Sequence, residues 1–314
     1  MNTIKNNLRK LLAIITIMLI AISCGTKITK NTKNVGKQAH NIEAGQVINY
    51  APATTPKEVA KNLETYLNTK DIKGVLSLYN EESVFVNQPE GIPLIGLDAI
   101  RNGFQSVLDM GGQSDIQVRN VIQSGNLALL IVDWVTTGID AKGKAFEFKA
   151  TATDVVQQNE AGHWLYKIDN AFGVAHADSP IDQKSLAKKV QNIDIAAKLE
   201  LYMNTKNMNG ILSLYNEESV FVNKPEGEPK AGLESIREGF QGYLNLGGQS
   251  DIKVRNLIQS GNVALVIVDW TFKGTDSEGN AFKFGATATD VLKRNEAGIW
   301  QYRIDNAFGV KRAN

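Results

Sequence analysis

"YKIDNAFGV" (residues 166–174) recurs as "YRIDNAFGV" (302–310), with a single lysine exchanged for arginine. Nine residues kept this closely are the end of something longer. A shift of 136 positions lays the chain on itself without a gap from about residue 61 to residue 174. "DIQVRNVIQSGNLALLIVDW" (115–134) then falls on "DIKVRNLIQSGNVALVIVDW" (251–270), identical at 16 of 20 positions. Solenoid units run about 20 to 50 residues, so a period this long is a whole domain carried twice. The expected organisation is residues 57–175 for the first copy, 176–192 for a linker and 193–314 for the second.

Each copy reads as helices followed by strands. "PKEVAKNLETYLNT" (56–69) and "DIKGVLSLYN" (71–80) have helical periodicity, and "VFVN" (84–87) is a brief strand. "LDAIRNGFQSVLDM" (97–110) is a third helix with Ile100, Phe104, Val107 and Leu108 on one face, stopped by Gly111-Gly112. Four strands are expected at 115–123, 126–137, 145–157 and 164–173, joined at "SGN", "DAKGK" and "NEAG", which have turn chemistry. Three helices ahead of a curled antiparallel sheet make an α+β domain.

The residues in that order carry a resemblance. "NTKDIKGVLSLYNEESVFV", "GLDAIRNGF" and "TDVVQQNEAGHWLYKIDN" resemble the nuclear transport factor 2-like superfamily, in its SnoaL-like and ketosteroid isomerase-like branch. The resemblance covers nearly all of each copy and implies two cone-shaped domains. It also implies pairing through the sheets, here as an internal pseudo-dimer. Function is not implied, because this fold hosts isomerases, cyclases, dehydratases and binding modules.

Strand parity separates a cavity lining from an outer face. Along "FEFKATATDVV", Phe146, Phe148, Ala150, Ala152 and Asp154 share one face, and the second copy repeats them as Phe282, Phe284, Ala286, Ala288 and Asp290. On the other face Glu147 becomes Lys283 and Lys149 becomes Gly285, the behaviour of a solvated surface. Asp154 and Asp290 therefore lie on an apolar wall. A carboxyl group there must be hydrogen-bonded or protonated, and desolvation raises its pKa.

The same parity puts Trp164, Tyr166, Ile168 and Asn170 on one face and Asp169 on the outer one. Tyr166 is expected across the hairpin from Asp154. Candidate ligand contacts are Asp154, Tyr166, Asn170 and Trp134, with Asp290, Tyr302, Asn306 and Trp270 in the second copy. Tyr79 and Tyr215 are further candidates for the lining. Asp154 and Asp290 are the candidate catalytic groups. The resemblance aligns them with the protonated Asp that donates to an oxyanion in ketosteroid isomerase. It also aligns that enzyme's base with Asn87 and Asn223, and its phenol with Leu63 and Leu199. Two of three parts are missing, which argues against steroid isomerisation.

Residues 1–23 hold Lys5, Arg9 and Lys10 ahead of an apolar run, and "AISC" ends at Cys24, the only cysteine. This resembles the signal peptide and lipobox of bacterial lipoproteins, which implies a lipid on Cys24 and attachment to a membrane of the cell envelope. Residues 24–56 read as a flexible tether. With a net charge of +1, 21% charged residues and no basic stripe, nothing suggests nucleic acid. His40, His163 and His176 form no metal-ligand spacing, and no cofactor motif is present. Three readings stay open: a binding protein for a small apolar molecule, an isomerase-, cyclase- or lyase-type enzyme, and a non-catalytic scaffold.

Overall fold

A computed structural model describes residues 50–177, 193–276 and 278–313. The segments expected to be the signal peptide with Cys24, nearly all of the tether and most of the linker lie outside the described residues. Both copies belong to one compact unit, Pro52–Asn314.

The first copy opens with α1 (Pro56–Asn68) and α2 (Ile72–Leu76). Pro56 begins α1 where its missing N–H costs nothing. The Glu58 carboxylate turns back to accept from the backbone N–H of Thr54 (2.6 Å) and Thr55 (3.2 Å). The α2 cap is Asp71, whose Oδ1 accepts from Gly74 N at 2.9 Å. Then come β1 (Val84–Val86), β2 (Leu94–Ile95) and α3 (Leu97–Met110), which ends at Gly111 with φ +69°. Ile100, Phe104 and Leu108 of α3 are buried as the periodicity requires.

Four long strands complete the copy: β3 (Gln113–Ser124), β4 (Leu127–Ile139), β5 (Ala145–Gln158) and β6 (Trp164–Asn170). The sheet order is β2-β1-β6-β5-β4-β3. It is not wholly antiparallel, since β1 pairs parallel to β6. The second copy repeats the plan with α4 (Ile195–Asn204), α5 (Met208–Ser213), β7 (Val220–Val222), β8 (Lys230–Ala231) and α6 (Leu233–Leu246). Its long strands are β9 (Gln249–Ser260), β10 (Val263–Thr275), β11 (Ala281–Arg294) and β12 (Trp300–Asn306).

Each sheet has two buried faces for part of its length. The concave face packs on the copy's own helices. The other face meets its counterpart from the second copy in one apolar layer, including Leu129, Ile131 and Ile168 from copy 1 and Leu265, Val291 and Ile304 from copy 2. Each such side chain contributes roughly 1.5–3 kcal/mol relative to exposure. The expected pseudo-dimer is thus present within one chain.

Parity alone made this second face solvated, and that holds only at its far end. Glu147 and Lys149 are exposed and pair at 2.7 Å, whereas Thr153 and Val155 on the same face are fully buried. Around the layer's rim the contacts repeat with approximate twofold symmetry. Ser124 Oγ donates to Glu218 O and Ser260 Oγ to Glu82 O. Arg119 donates to Val310 O at 3.1 Å, and Arg255 donates to Val174 O at 2.9 Å.

Candidate functional site

The site is built where β5 and β6 run side by side on the concave face. Val156 pairs with Tyr166, but Val155 pairs with Ile168, so Lys167 is an extra residue, a β-bulge. One inserted residue flips everything after it to the opposite face. Tyr166 packs in the helix-covered core, Ile168 turns to the layer between copies, and Asp169 turns back into the core beside Phe85, its partner on β1. Continuing the register sets Asp154 across from Asp169. The second copy repeats the bulge between Val291 and Leu292.

This corrects three placements made from parity. Asp169 and Asp305 are buried, at 4% and 5% exposure, and are not on an outer surface. Ile168 belongs to the shared layer. Asn170 and Asn306 do not reach the cavity. The Asn170 amide donates to Thr153 Oγ1 (2.8 Å) and Gly173 O (3.0 Å), and Asn306 does the same to Thr289 Oγ1 and Gly309 O. Tyr166 keeps the expected face, opposite Val156 and diagonal to Asp154.

Asn170 acts through its backbone, whose N–H donates to Asp154 Oδ1 at 3.0 Å. Gly173 closes the turn at φ +50°, where a Cβ would run into Thr151 O. These two demands, together with the acid at 169, account for the repeated "IDNAFGV".

The bulge assembles a cluster that sequence reading missed. The Tyr79 hydroxyl donates to Asp169 Oδ2 at 2.6 Å, and its ring stacks on Tyr166 at 5.0 Å and 18°. Tyr215, Asp305 and Tyr302 reproduce both the bond, at 2.6 Å, and the stack. Burial raises the Asp169 carboxyl to about 7 and Asp305 to about 6, although the phenol bond acts the other way. Burial, and next the charge of the facing acid, lift Asp154 and Asp290 well above the usual carboxyl range. Two acids this close in an apolar site share a proton rather than both ionising. Each copy therefore presents one protonated and one ionisable carboxyl, the latter held by a phenol.

In the second copy the cluster borders a cavity of about 60 Å³. Asp290, Asp305 and Tyr302 lie along it, with Trp270, Tyr243, Phe240 and Leu199 among its walls. Trp270 fixes its ring by donating Nε1–H to Ala307 O at 2.6 Å, as Trp134 does to Ala171 O. Leu63 and Leu199 are buried where the resemblance would have a phenol. The phenols come instead from the turns after α2 and α5, as Tyr79 and Tyr215.

One signal for Asp169 was available. His163, Leu165 and Lys167 all change between copies on the face assigned to Asp169, yet Asp169 itself does not.

The SnoaL-like domain family matches residues 60–165 and 198–302. Among curated proteins none matches the chain. Several solved structures are similar to single copies. A conserved protein from Planctomyces limnophilus is 16% identical, with 40% of this chain and 97% of that one covered at a TM-score of 0.35. A ketosteroid isomerase-like protein from Erwinia carotovora is 19% identical over 36% and 88%, at 0.33. An NTF-2 like protein of unknown function from Shewanella oneidensis is 15% identical over 36% and 92%, at 0.31. The two family matches together span more than half of the sequence, and the chain belongs to the SnoaL-like domain family, with two copies in tandem.

Proposed function

We propose that this protein is a lipid-anchored envelope protein whose two SnoaL-like domains each bind a small, largely apolar molecule. The observation that carries the binding half is the buried Tyr–Asp–Asp cluster beside an apolar cavity in copy 2, repeated residue for residue in copy 1. Ligand sites pair mostly apolar walls with a few convergent polar groups. A protonated Asp290 offers a donor and the Asp305 carboxylate an acceptor to a polar end held inside. At about 60 Å³ the cavity is well below the 150 Å³ that admits benzene. The ligand, or the part of it held inside, is a few heavy atoms in size.

The anchoring half rests on the basic start, the apolar run and Cys24. Two acyl chains hold a protein at a membrane where one does not. Cys24→Ala should abolish incorporation of a labelled fatty acid and release the chain from the membrane fraction. Persistent incorporation would contradict the anchor.

Native mass spectrometry of the gently purified protein tests binding. The reading expects a retained small molecule at up to two per chain, lost in the D154N/D290N variant. A chain that retains nothing and takes up no small amphiphile contradicts it. A second reading, acid–base turnover, is favoured by the Asp169 carboxyl at about 7 beside a protonated acid. It requires that D169N and D305N abolish consumption of a bound molecule while leaving its binding intact.

A further inference from the structure

The cavity of the second copy has a composition that selects among ligands. Its walls carry Phe221, Phe240, Tyr243, Trp270 and Tyr302, and its only ionisable groups besides the tyrosines are Asp290 and Asp305. No lysine, arginine or histidine among the described residues lines it. Both carboxyls are buried, at 4% and 5% exposure. Asp290 is bonded to Asn306 N and Asp305 to the Tyr215 hydroxyl, which leaves each carboxyl without a cation. Tyr302 is 2% exposed and faces the cavity, and its hydroxyl has no hydrogen-bond partner among the described residues.

These facts describe a negative floor under aromatic walls, with one idle phenol. Buried charge needs a partner, and among the described residues Asp305 has a hydrogen bond from Tyr215 but no cation. A neutral ligand would satisfy the phenol and leave the charge on Asp305 uncompensated. An anion would add a second negative charge in a desolvated space. A cation with a short apolar body meets all three features: its charge offsets the carboxylate, its N–H groups donate to the Tyr302 hydroxyl oxygen and to a carboxyl oxygen of Asp290, and its body contacts ring faces, which attract cations.

We infer that the second copy's cavity binds an organic ammonium group, its nitrogen at Asp290, Asp305 and Tyr302 and its alkyl part against Trp270 and Tyr243. The inference rests on the reading of this cavity as a binding site and names what enters it. The first copy keeps both acids but has Val107 in place of Tyr243, so it lacks that ring. The same ligand is held more weakly there.

The test titrates the full chain with n-propylammonium, 1-propanol and propionate, following the Trp270 indole N–H by NMR. Propylammonium and propanol are nearly the same shape and differ in charge. The inference expects propylammonium to bind at least about tenfold more tightly than propanol, and propionate not to bind. That preference should vanish in D290N/D305N, where the amide oxygens still accept from Asn306 N and Tyr215. Y243V, a smaller change, should weaken propylammonium by about threefold. Retention of the preference in D290N/D305N overturns the inference. Equal or tighter binding of propanol also overturns it while leaving the cavity a binding site. If no probe moves the indole, both the inference and the binding reading fail for this copy.

Discussion

In copy 1 the cluster is Tyr79, Tyr166, Asp154 and Asp169, and in copy 2 it is Tyr215, Tyr302, Asp290 and Asp305. The same 2.6 Å phenol–carboxylate bond and the same 5.0 Å stack occur in both. The walls differ. In copy 1 Ser114 Oγ meets Thr136 Oγ1 at 2.8 Å. In copy 2 Phe272 stands at the Thr136 position, packed edge-on to Tyr243 at 5.7 Å, and Ser250 faces the Met203 sulfur instead. The rim differs as well. Lys167 pairs with Glu82, whereas Arg303 pairs with Glu218 at 2.6 Å and also donates to Ser124 Oγ of the first copy at 3.1 Å. One backbone plan therefore fixes the acids, while substitutions above and beside them change the packing around the cluster and the bonds each copy makes to its neighbour.

The comparison breaks most sharply if the copies are independent. Leu265 is fully buried in the shared layer. Leu265→Asp should cost more than about 4 kcal/mol, since it places an unpaired charge there. A thermal melt should show copy 1 lost along with copy 2 in a single transition. A surviving transition for copy 1 would show that the layer does not couple them.

A somewhat smaller effect follows from the acids. Unfolded Asp ionises near 3.9, whereas folded Asp169 ionises at about 7 and Asp305 at about 6. Over that window the folded chain holds protons that the unfolded chain has released. Their contribution to stability is therefore full below pH ~4 and is lost as pH rises through the folded values, on the order of 1 kcal/mol per pH unit per group. Urea melts at pH 5 and pH 8 should show this loss, and D169N/D305N should reduce it, leaving the share of Asp154 and Asp290, whose carboxyls are also raised by burial. Copy 1 should lose its share at higher pH than copy 2.

Gly309→Ala probes the turn after β12, where φ is +52° and a Cβ would press on Thr287 O. A cost of about 1–3 kcal/mol is expected, matched by Gly173→Ala in copy 1. Unequal costs in denaturant titrations would show that the two turns are not equivalent. The smallest change, Lys167→Arg, should gain about 0.5–1 kcal/mol if the new guanidinium reaches Ser260 as Arg303 reaches Ser124. A double-mutant cycle with Ser260→Ala measures that gain directly.

The duplication, the helices and the four long strands were legible because period and turn chemistry are local. The α3 face of Ile100, Phe104 and Leu108 is one example. The inward face through Ala152 and Asp154 was legible for the same reason, since β4 and β5 pair without interruption from Leu127 to Ile139. Asp169 was not legible, because alternation carries no mark of an inserted residue. The bulge at Lys167 is set by what both sides of β6 must satisfy, the parallel partner β1 and the shared layer. The shared layer was also hidden in part. Thr153 and Val155 read as the continuation of a charged face, and only the second copy's position shows where burial begins.

The central claim is that each copy encloses an acid pair in which one carboxyl stays protonated near neutrality. Carbon-13 NMR of the aspartate side-chain carboxyls across pH, assigned with D154N, D169N, D290N and D305N, measures this directly. The account predicts that Asp169 titrates at about 7 and Asp305 at about 6, with Asp154 and Asp290 still protonated above those values. Titration of all four near the ordinary 3.9 would contradict it.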